Sequence, residues 1–321
     1  MEYSRLGKTD LEVSRLGFGA SSLGAVFRDI DEDDAQRTVH RAIDLGINFI
    51  DVAPYYGLTK AESALGRALR AIPRDRYYLA TKVGRYGDEE FDFSAERVTQ
   101  SVDESLERLG LEEIDLIQCH DIEFVNLDQI VDETLPALEE LKRRGKVRFL
   151  GITGLPLKAF REVLKRSGDR WDTVLSYCRY SLNDTSLADL IPELKELDLG
   201  IISASPLSMG LLTRRGPPDW HPAPKPVIDA CRRAAEYCDE RGVDIAQLAL
   251  QFSLGERDIA STLVGTASSA NLERNCAWIE ASPDPEILAA VQDILQPVRD
   301  LTWPSGLPEN ADELTSRNDL P

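Results

Sequence analysis

The stretch Asn48-Phe49-Ile50-Asp51-Val52-Ala53-Pro54-Tyr55-Tyr56-Gly57 decides how this chain is read. It opens on a short, mostly apolar run, Ile47 to Ile50, with the character of a strand buried on both faces in a parallel sheet. Pro54 and Gly57 then stop strand and helix alike. Asp51 is therefore expected at the carboxyl end of a strand, with Tyr55 and Tyr56 on the loop behind it. Ligands bind at that end in parallel α/β architectures, so a carboxylate and a phenol there need a chemical reason.

Outward from this stretch the chain alternates. Two short segments around Gly7-Lys8-Thr9-Asp10 read as a hairpin. Strand patterns follow at 16–20, 48–51, 78–82, 114–119, 149–153, 173–176, 201–203 and 261–264. Between and after them lie helical patterns at 31–44, 60–69, 94–109, 127–144, 157–167, 187–197, 227–241, 245–254 and 271–279. In the third of these, Val98, Val102, Leu106 and Leu109 keep the 3.6-residue period. Alternation of this kind implies a parallel sheet. About eight strand–helix units, with no complete Gly-x-Gly-x-x-Gly turn after the first strand, favour a closed (β/α)8 TIM barrel over a doubly wound sheet. The expected fold is α/β: a barrel with an N-terminal β-hairpin and extra C-terminal helices. No linker divides the chain, so 1–321 reads as a single domain, with a Pro/Gly-rich tail from Pro297 and a fraying end at 310–321.

Composition narrows the function. With 42% hydrophobic and 29% charged residues, 321 residues suffice for a large core. No apolar run reaches the roughly 18 residues of a membrane span. Met1-Glu2-Tyr3-Ser4-Arg5 lacks the order of a signal peptide, so a soluble, cytoplasmic protein is expected. Five scattered cysteines without a CxxC read as free thiols, and three histidines without ligand spacing give no metal site. A net charge of −19 argues against nucleic acid as a partner. Monomer and homodimer both stay open.

The expected strand ends carry Asp51, Lys82, His120, Asp121, Thr153, Ser176, Tyr177, Ser203 and Ser205, with Tyr56 one turn beyond Asp51. Each has an ordinary reading by itself: a rim lysine, a capping histidine, a packing tyrosine, a turn-capping aspartate. In a barrel they converge on one mouth and pull one another's pKa values. A phenol titrates near about 10; a neighbouring ammonium lowers it, a carboxylate keeps that ammonium charged, and an imidazole holds an oxygen in place. This is machinery for moving a proton beside a C–O bond. Carbinol–carbonyl interconversion also needs a hydride carrier, which no side chain supplies.

These residues resemble the aldo-keto reductase superfamily. The matching elements are Asp51-x-Ala53-x-x-Tyr56-Gly57, Lys82 after Leu79-Ala80-Thr81, and Cys119-His120 after Asp115-Leu116-Ile117-Gln118. The initial hairpin, Gly17-Phe18-Gly19-Ala20 and Gly145-Lys146-Val147-Arg148 also fit, so the resemblance runs from Tyr3 to Glu280. Further stretches are similar to the members that oxidise L-galactose: Phe91-Asp92-Phe93-Ser94, His120-Asp121-Ile122-Glu123-Phe124, Gly151-Ile152-Thr153-Gly154 and Leu301-Thr302-Trp303-Pro304.

The resemblance implies NAD-dependent oxidation of L-galactose at C1 to the lactone, with Tyr56 as general acid/base, Lys82 tuning it, Asp51 pairing with Lys82 and His120 orienting the substrate oxygen. It also implies that the cofactor lies against Gly19, Ala20, Thr153, Gly154, Tyr177, Ser203, Ser205, Leu207, Gly210, Thr266, Asn271 and Asn275. Thr153 and Gly154 stand where a Ser-Asn pair usually holds the carboxamide. Tyr177 replaces a glutamine and Ala204 an aromatic, which suggests that the Tyr177 ring fills the space Ala204 leaves. The two positions that carry basic residues in NADP-preferring relatives are Gly265 and Asn271, so NAD is expected over NADP; Arg274 is the one cation nearby. Substrate contacts are expected from Tyr55, Asp121, Phe124 and Trp303, with Glu123 on the same loop as Phe124. Oxidation of L-fucose or another aldose, reduction of aldehydes or ketones with NADPH, and a cofactor-sensing regulatory barrel are the competing readings.

Overall fold

The computed structural model describes residues 1–24 and 31–312. Two hairpin strands, β1 (Tyr3–Arg5) and β2 (Glu12–Ser14), pair antiparallel with Tyr3 opposite Ser14. Eight strands then follow: β3 (Leu16–Gly19), β4 (Phe49–Asp51), β5 (Tyr78–Val83), β6 (Ile114–Cys119), β7 (Val147–Gly154), β8 (Thr173–Tyr177), β9 (Gly200–Ala204) and β10 (Ser261–Gly265). They neighbour one another in chain order, all parallel, and β10 closes back on β3. This is the expected (β/α)8 barrel with its N-terminal hairpin.

The hairpin plugs one end. Leu6, Leu11 and Val13 are buried with Phe49, Ala80, Leu116, Leu175, Ile202 and Leu263 from the strands. The Lys8 N–H donates to the Asp198 carbonyl, just before β9 begins. The apolar stopper therefore sits at the amino ends of the strands, and the polar strand ends are left at the opposite mouth. Outside, the helices bury one face each. Ala95–Leu109 starts on the Ser94 cap, buries Val98, Val102 and Leu109, and stops at Gly110 with φ +68°.

Four segments differ from expectation. The continuous helix expected over 127–144 is interrupted by a π-turn, Ile130–Thr134, before Leu135–Arg143. Pro136 has no N–H to bond residue 132, and the Thr134 hydroxyl donates out of the helix to the Phe93 carbonyl at 2.6 Å. The helix expected over 187–197 shortens to Ile191–Glu196 behind a 3-10 turn, Ser186–Asp189; Pro192 can stand only in the first turn. A helix at Pro285–Leu295, capped by Asp284, packs on Lys225–Asp239 and falls in a stretch given no element in the sequence reading. Asn310, expected to fray, is buried, and its Nδ2 donates to the carbonyls of Glu123 and Val125 at 2.9 Å each. Residues 313–321 lie outside the described residues. All five cysteines are free, and no helix among the described residues is long and apolar enough to cross a membrane.

The turn that carries Tyr56 is tight. Gly57, Leu58 and Thr59 are consecutive left-handed residues, with φ of +62°, +50° and +71°. A Cβ on Gly57 would stand 2.0 Å from the Gly24 carbonyl oxygen. Gly57→Ala is expected to lower stability by about 2 kcal/mol or more, read as a lower midpoint in denaturant unfolding. An unchanged midpoint would show that this turn shifts freely.

Candidate active site

The register of β4, β5 and β6 sets the centre of the mouth. Asp51 ends β4, and Lys82 on β5 stands opposite Gln118 on β6. The Lys82 ammonium donates to Asp51 Oδ1 at 2.5 Å, to the Val52 carbonyl at 2.9 Å and to Tyr56 Oη at 3.2 Å. An ammonium has three N–H donors, and each has an acceptor. Gln118 Nε2 donates to the other Asp51 oxygen at 2.9 Å. Because Tyr56 Oη accepts from Lys82, the phenol's own proton is free to point away from it. The His120 ring stands edge-on to that of Tyr56, centroids 5.6 Å apart. The four residues expected to meet are thus brought to one place.

Burial sets their charges. Lys82 and Asp51 are both almost wholly buried. Burial works against the Lys82 ammonium, but the Asp51 carboxylate and the Tyr56 oxygen outweigh it and raise its pKa. His120 is pushed down to about 3 by burial, helped by Lys82 and Arg85 against the pull of Asp121, so its imidazole is neutral. The Tyr56 phenol was expected to be lowered by Lys82. Instead the burial of its hydroxyl outweighs that cation and raises it to about 12. At rest the phenol is a proton donor.

Beside this centre lies a second ion pair that the sequence reading missed. Arg85 Nη1 donates to Asp121 Oδ2 at 2.5 Å. Its guanidinium stands 4.0 Å from the Tyr55 ring centroid and just over 5 Å from those of Phe91 and Phe124. Tyr55 is held in turn by Asp88, its hydroxyl donating at 2.8 Å. Three of the four expected substrate residues, Tyr55, Asp121 and Phe124, therefore gather around Arg85. Trp303 does not join them: it is buried, edge-on to His221 at 5.1 Å, within the apolar cluster of the C-terminal helices.

The expected cofactor residues lie at the carboxyl ends of the remaining strands. Gly19 on β3 pairs with Gly265 on β10, with Ala20 next in the chain. Tyr177 stands opposite Ala204 on β9. Ser203 Oγ is buried without a partner. Ser205, Ser208, Met209 and Gly210 all have positive φ, giving a tight turn through Leu207. Asn271 Oδ1 accepts from Arg274, whose guanidinium stacks over Trp278 at 5.1 Å. Thr266 Oγ accepts from the Ser268 N–H, and Asn275 is buried beyond it. The Thr153 hydroxyl accepts from the Asp121 N–H at 3.0 Å and donates to Asp121 Oδ1 at 3.3 Å. Unpartnered buried atoms on Gln118, His120, Ser176 and Ser203 mark this mouth as a place for a polar ligand, as the extended nicotinamide dinucleotide of the resemblance would be.

A model described as the Aldo/keto reductase family matches residues 15–296. The chain is 53% identical over 317 residues to L-galactose dehydrogenase of Arabidopsis thaliana, covering 97% of this chain and 99% of that protein. It is 31% identical to D-threo-aldose 1-dehydrogenase of a Pseudomonas species, covering 84% of this chain and 90% of that one. D-arabinose 1-dehydrogenase of Saccharomyces cerevisiae is 36% identical over 76% of each chain. A solved holo-form aldo-keto reductase of Bacillus halodurans superposes with a TM-score of 0.78 at 30% identity, covering 97% of this chain and all of that one.

Removing one member of the central pair strands the other. Asp51→Leu leaves the buried Lys82 ammonium without its counter-charge, and a loss of about 3–5 kcal/mol in unfolding free energy is expected by denaturant titration. Wild-type stability in this variant would mean that the pair is reached by water.

Proposed function

The chain belongs to the aldo/keto reductase family, and we propose that it is an NAD-dependent aldose 1-dehydrogenase that oxidises L-galactose at C1 to the galactonolactone. The observation that carries this reading is the Lys82 ammonium: all three donors are used inside the protein, one of them on Tyr56 Oη, so the phenol proton faces outward. The likeness to aldose dehydrogenases over nearly the whole chain supports the substrate class.

Each residue then has a separable task. Neutral His120 holds the C1 hydroxyl oxygen. Tyr56 exchanges the hydroxyl proton. Lys82 stabilises the phenolate that Tyr56 must become before it can take that proton, and Asp51, fixed by Gln118, keeps Lys82 charged. A bound oxidised nicotinamide would supply the hydride acceptor and a positive charge. That charge opposes the burial that otherwise holds the phenol near about 12. As C1 loses hydride and its oxygen loses the proton, the C1–O bond becomes a carbonyl; in the ring form of an aldose this is a lactone. Arg85 and Asp121 offer a donor and an acceptor to sugar hydroxyls, with Phe91 and Phe124 as a flat apolar face.

NAD is preferred on charge. Neither Gly265 nor Asn271 is a cation, and Arg274 is tied to Asn271 and Trp278. Among the described residues a 2′-phosphate would meet no free cation there.

In a panel of aldoses with NAD, followed by absorbance of the reduced cofactor, L-galactose is expected to give the highest kcat/KM. NAD is expected to exceed NADP by about tenfold or more, the effect of one charge-assisted contact. Tyr56→Phe should lose about 100- to 10,000-fold in kcat while still binding cofactor. A clear NADP preference, or turnover with no aldose, would contradict this assignment.

A further inference from the structure

Arg85 and Asp121 form an ion pair that is mostly, but not wholly, withdrawn from water: their side chains keep 15% and 7% of their exposure. Burial of this kind is costly unless the polar atoms find partners. Arg85 Nη1 donates to Asp121 Oδ2 at 2.5 Å, and Nε reaches the Gly87 carbonyl only at 3.5 Å. A guanidinium has five N–H donors, and among the described residues Nη2 meets no acceptor. Asp121 Oδ1 accepts from the Thr153 hydroxyl at 3.3 Å. Oδ2 holds only the Arg85 bond, and a carboxylate oxygen can accept a second. The pair therefore presents an unused N–H and an unused lone pair side by side.

Packing fixes where these groups stand. The guanidinium lies 4.0 Å from the Tyr55 ring centroid and 5.2 and 5.3 Å from those of Phe91 and Phe124, which stack on each other at 4.5 Å. Asp121 has a left-handed backbone, φ +56°, which aspartate tolerates better than most residues. Its N–H is held by the Thr153 hydroxyl at 3.0 Å. So placed, its carboxylate lies beside the ring of the preceding residue, with Oδ2 3.7 Å from His120 Nε2. His120 Nδ1 is buried without a partner, so Nε2 is the ring nitrogen on the side of the pair. The rings of Tyr55 and Tyr56 flank that imidazole at 5.8 and 5.6 Å.

We propose that this pair reads the C2 hydroxyl of the aldose: Asp121 Oδ2 accepts its proton and an Arg85 N–H donates to its oxygen. The proposal rests on the reading of the chain as an aldose 1-dehydrogenase in which His120 holds the C1 oxygen. Two oxygens neighbour that atom in a sugar ring, the ring oxygen and the C2 hydroxyl. The ring oxygen only accepts, so a carboxylate repels it. A hydroxyl donates and accepts at once, which is what the pair asks of a ligand. Oxygens on adjacent carbons of a sugar ring stand about one hydrogen-bond length apart. An acceptor 3.7 Å from the nitrogen that holds the C1 oxygen therefore meets the C2 hydroxyl first. A sugar that covers the pair without offering this hydroxyl leaves the charges dry and unpaired. The substrate class narrows accordingly, from aldoses in general to those with a hydroxyl beside the oxidised carbon.

Steady-state kinetics with NAD separate this from a structural role. Three sugars are compared, L-galactose, 2-deoxy-L-galactose (no hydroxyl at C2) and L-fucose (none at C6), in wild type, Arg85→Met and Asp121→Asn. Asparagine is chosen because it also suits a left-handed backbone. Wild type is expected to favour L-galactose over the 2-deoxy sugar by about 100-fold or more in kcat/KM. Loss of an electron-withdrawing hydroxyl does not itself slow hydride departure, so this ratio reports recognition. In each variant the ratio is expected to shrink about tenfold or more, while the ratio of L-galactose to L-fucose moves by less than about twofold. A merely structural role would lower all three sugars together and leave both ratios unchanged. That outcome, equal shrinkage of both ratios, or a wild-type ratio near one for the 2-deoxy sugar overturns the proposal and leaves the enzyme assignment intact. Should neither variant fold, the wild-type ratio decides alone. Turnover of none of the three sugars by wild type overturns the aldose reading, and the proposal with it.

Discussion

A buried ammonium with three acceptors is the constraint on which the rest depends. Lys82 is withdrawn from water on an interior strand, where an unpaired charge would be very costly. Asp51, the Val52 carbonyl and Tyr56 Oη satisfy it. That requirement ties β5 to the end of β4 and to the loop beyond, and so fixes the phenol. The left-handed turn Gly57–Thr59 and the close approach to Gly24 are what bring Tyr56 back over Lys82. The hairpin at the other end of the barrel supplies the apolar plug, so that polar strand ends are confined to one mouth.

Charge is arranged unevenly around this mouth. Asp51 faces Lys82 and Asp121 faces Arg85, so two of the buried carboxylates carry their own cation. Glu123 has none and keeps a proton instead. In the proposed function the two ion pairs would serve two tasks, proton movement at Tyr56 and a polar wall among the rings of Tyr55, Phe91 and Phe124. His120 between them is stripped of charge by burial, which suits a group that orients an oxygen without competing with Tyr56 for its proton.

Much of this was legible because strand burial leaves a local signature. The stretch Ile114–Cys119 reads as a strand to the residue, and Lys60–Leu69 and Leu157–Ser167 as helices to the residue, because apolar period and breakers coincide there. Asp51, Tyr56, Lys82 and His120 stood out as polar residues at predicted strand ends. Arg85 did not, since it lies on a loop and its partner is 36 residues away. The tail's hold on Glu123 spans 182 residues or more, a distance over which no periodicity speaks. The π-turn at Ile130–Thr134 depends on a hydroxyl finding a carbonyl in another segment. The direction of the Tyr56 shift depends on burial of its oxygen, which is visible only in the folded chain; the sequence shows the cation alone.

The central claim is that these four side chains serve one event, in which the hydrogen on C1 of an aldose leaves as hydride while its oxygen gives up a proton. L-galactose carrying deuterium at C1, incubated with the enzyme and unlabelled NAD, tests it most directly by mass spectrometry of the reduced cofactor. The account predicts one deuterium in every reduced cofactor molecule and none released to solvent. Reduced cofactor without the label, or label appearing in water, would contradict it.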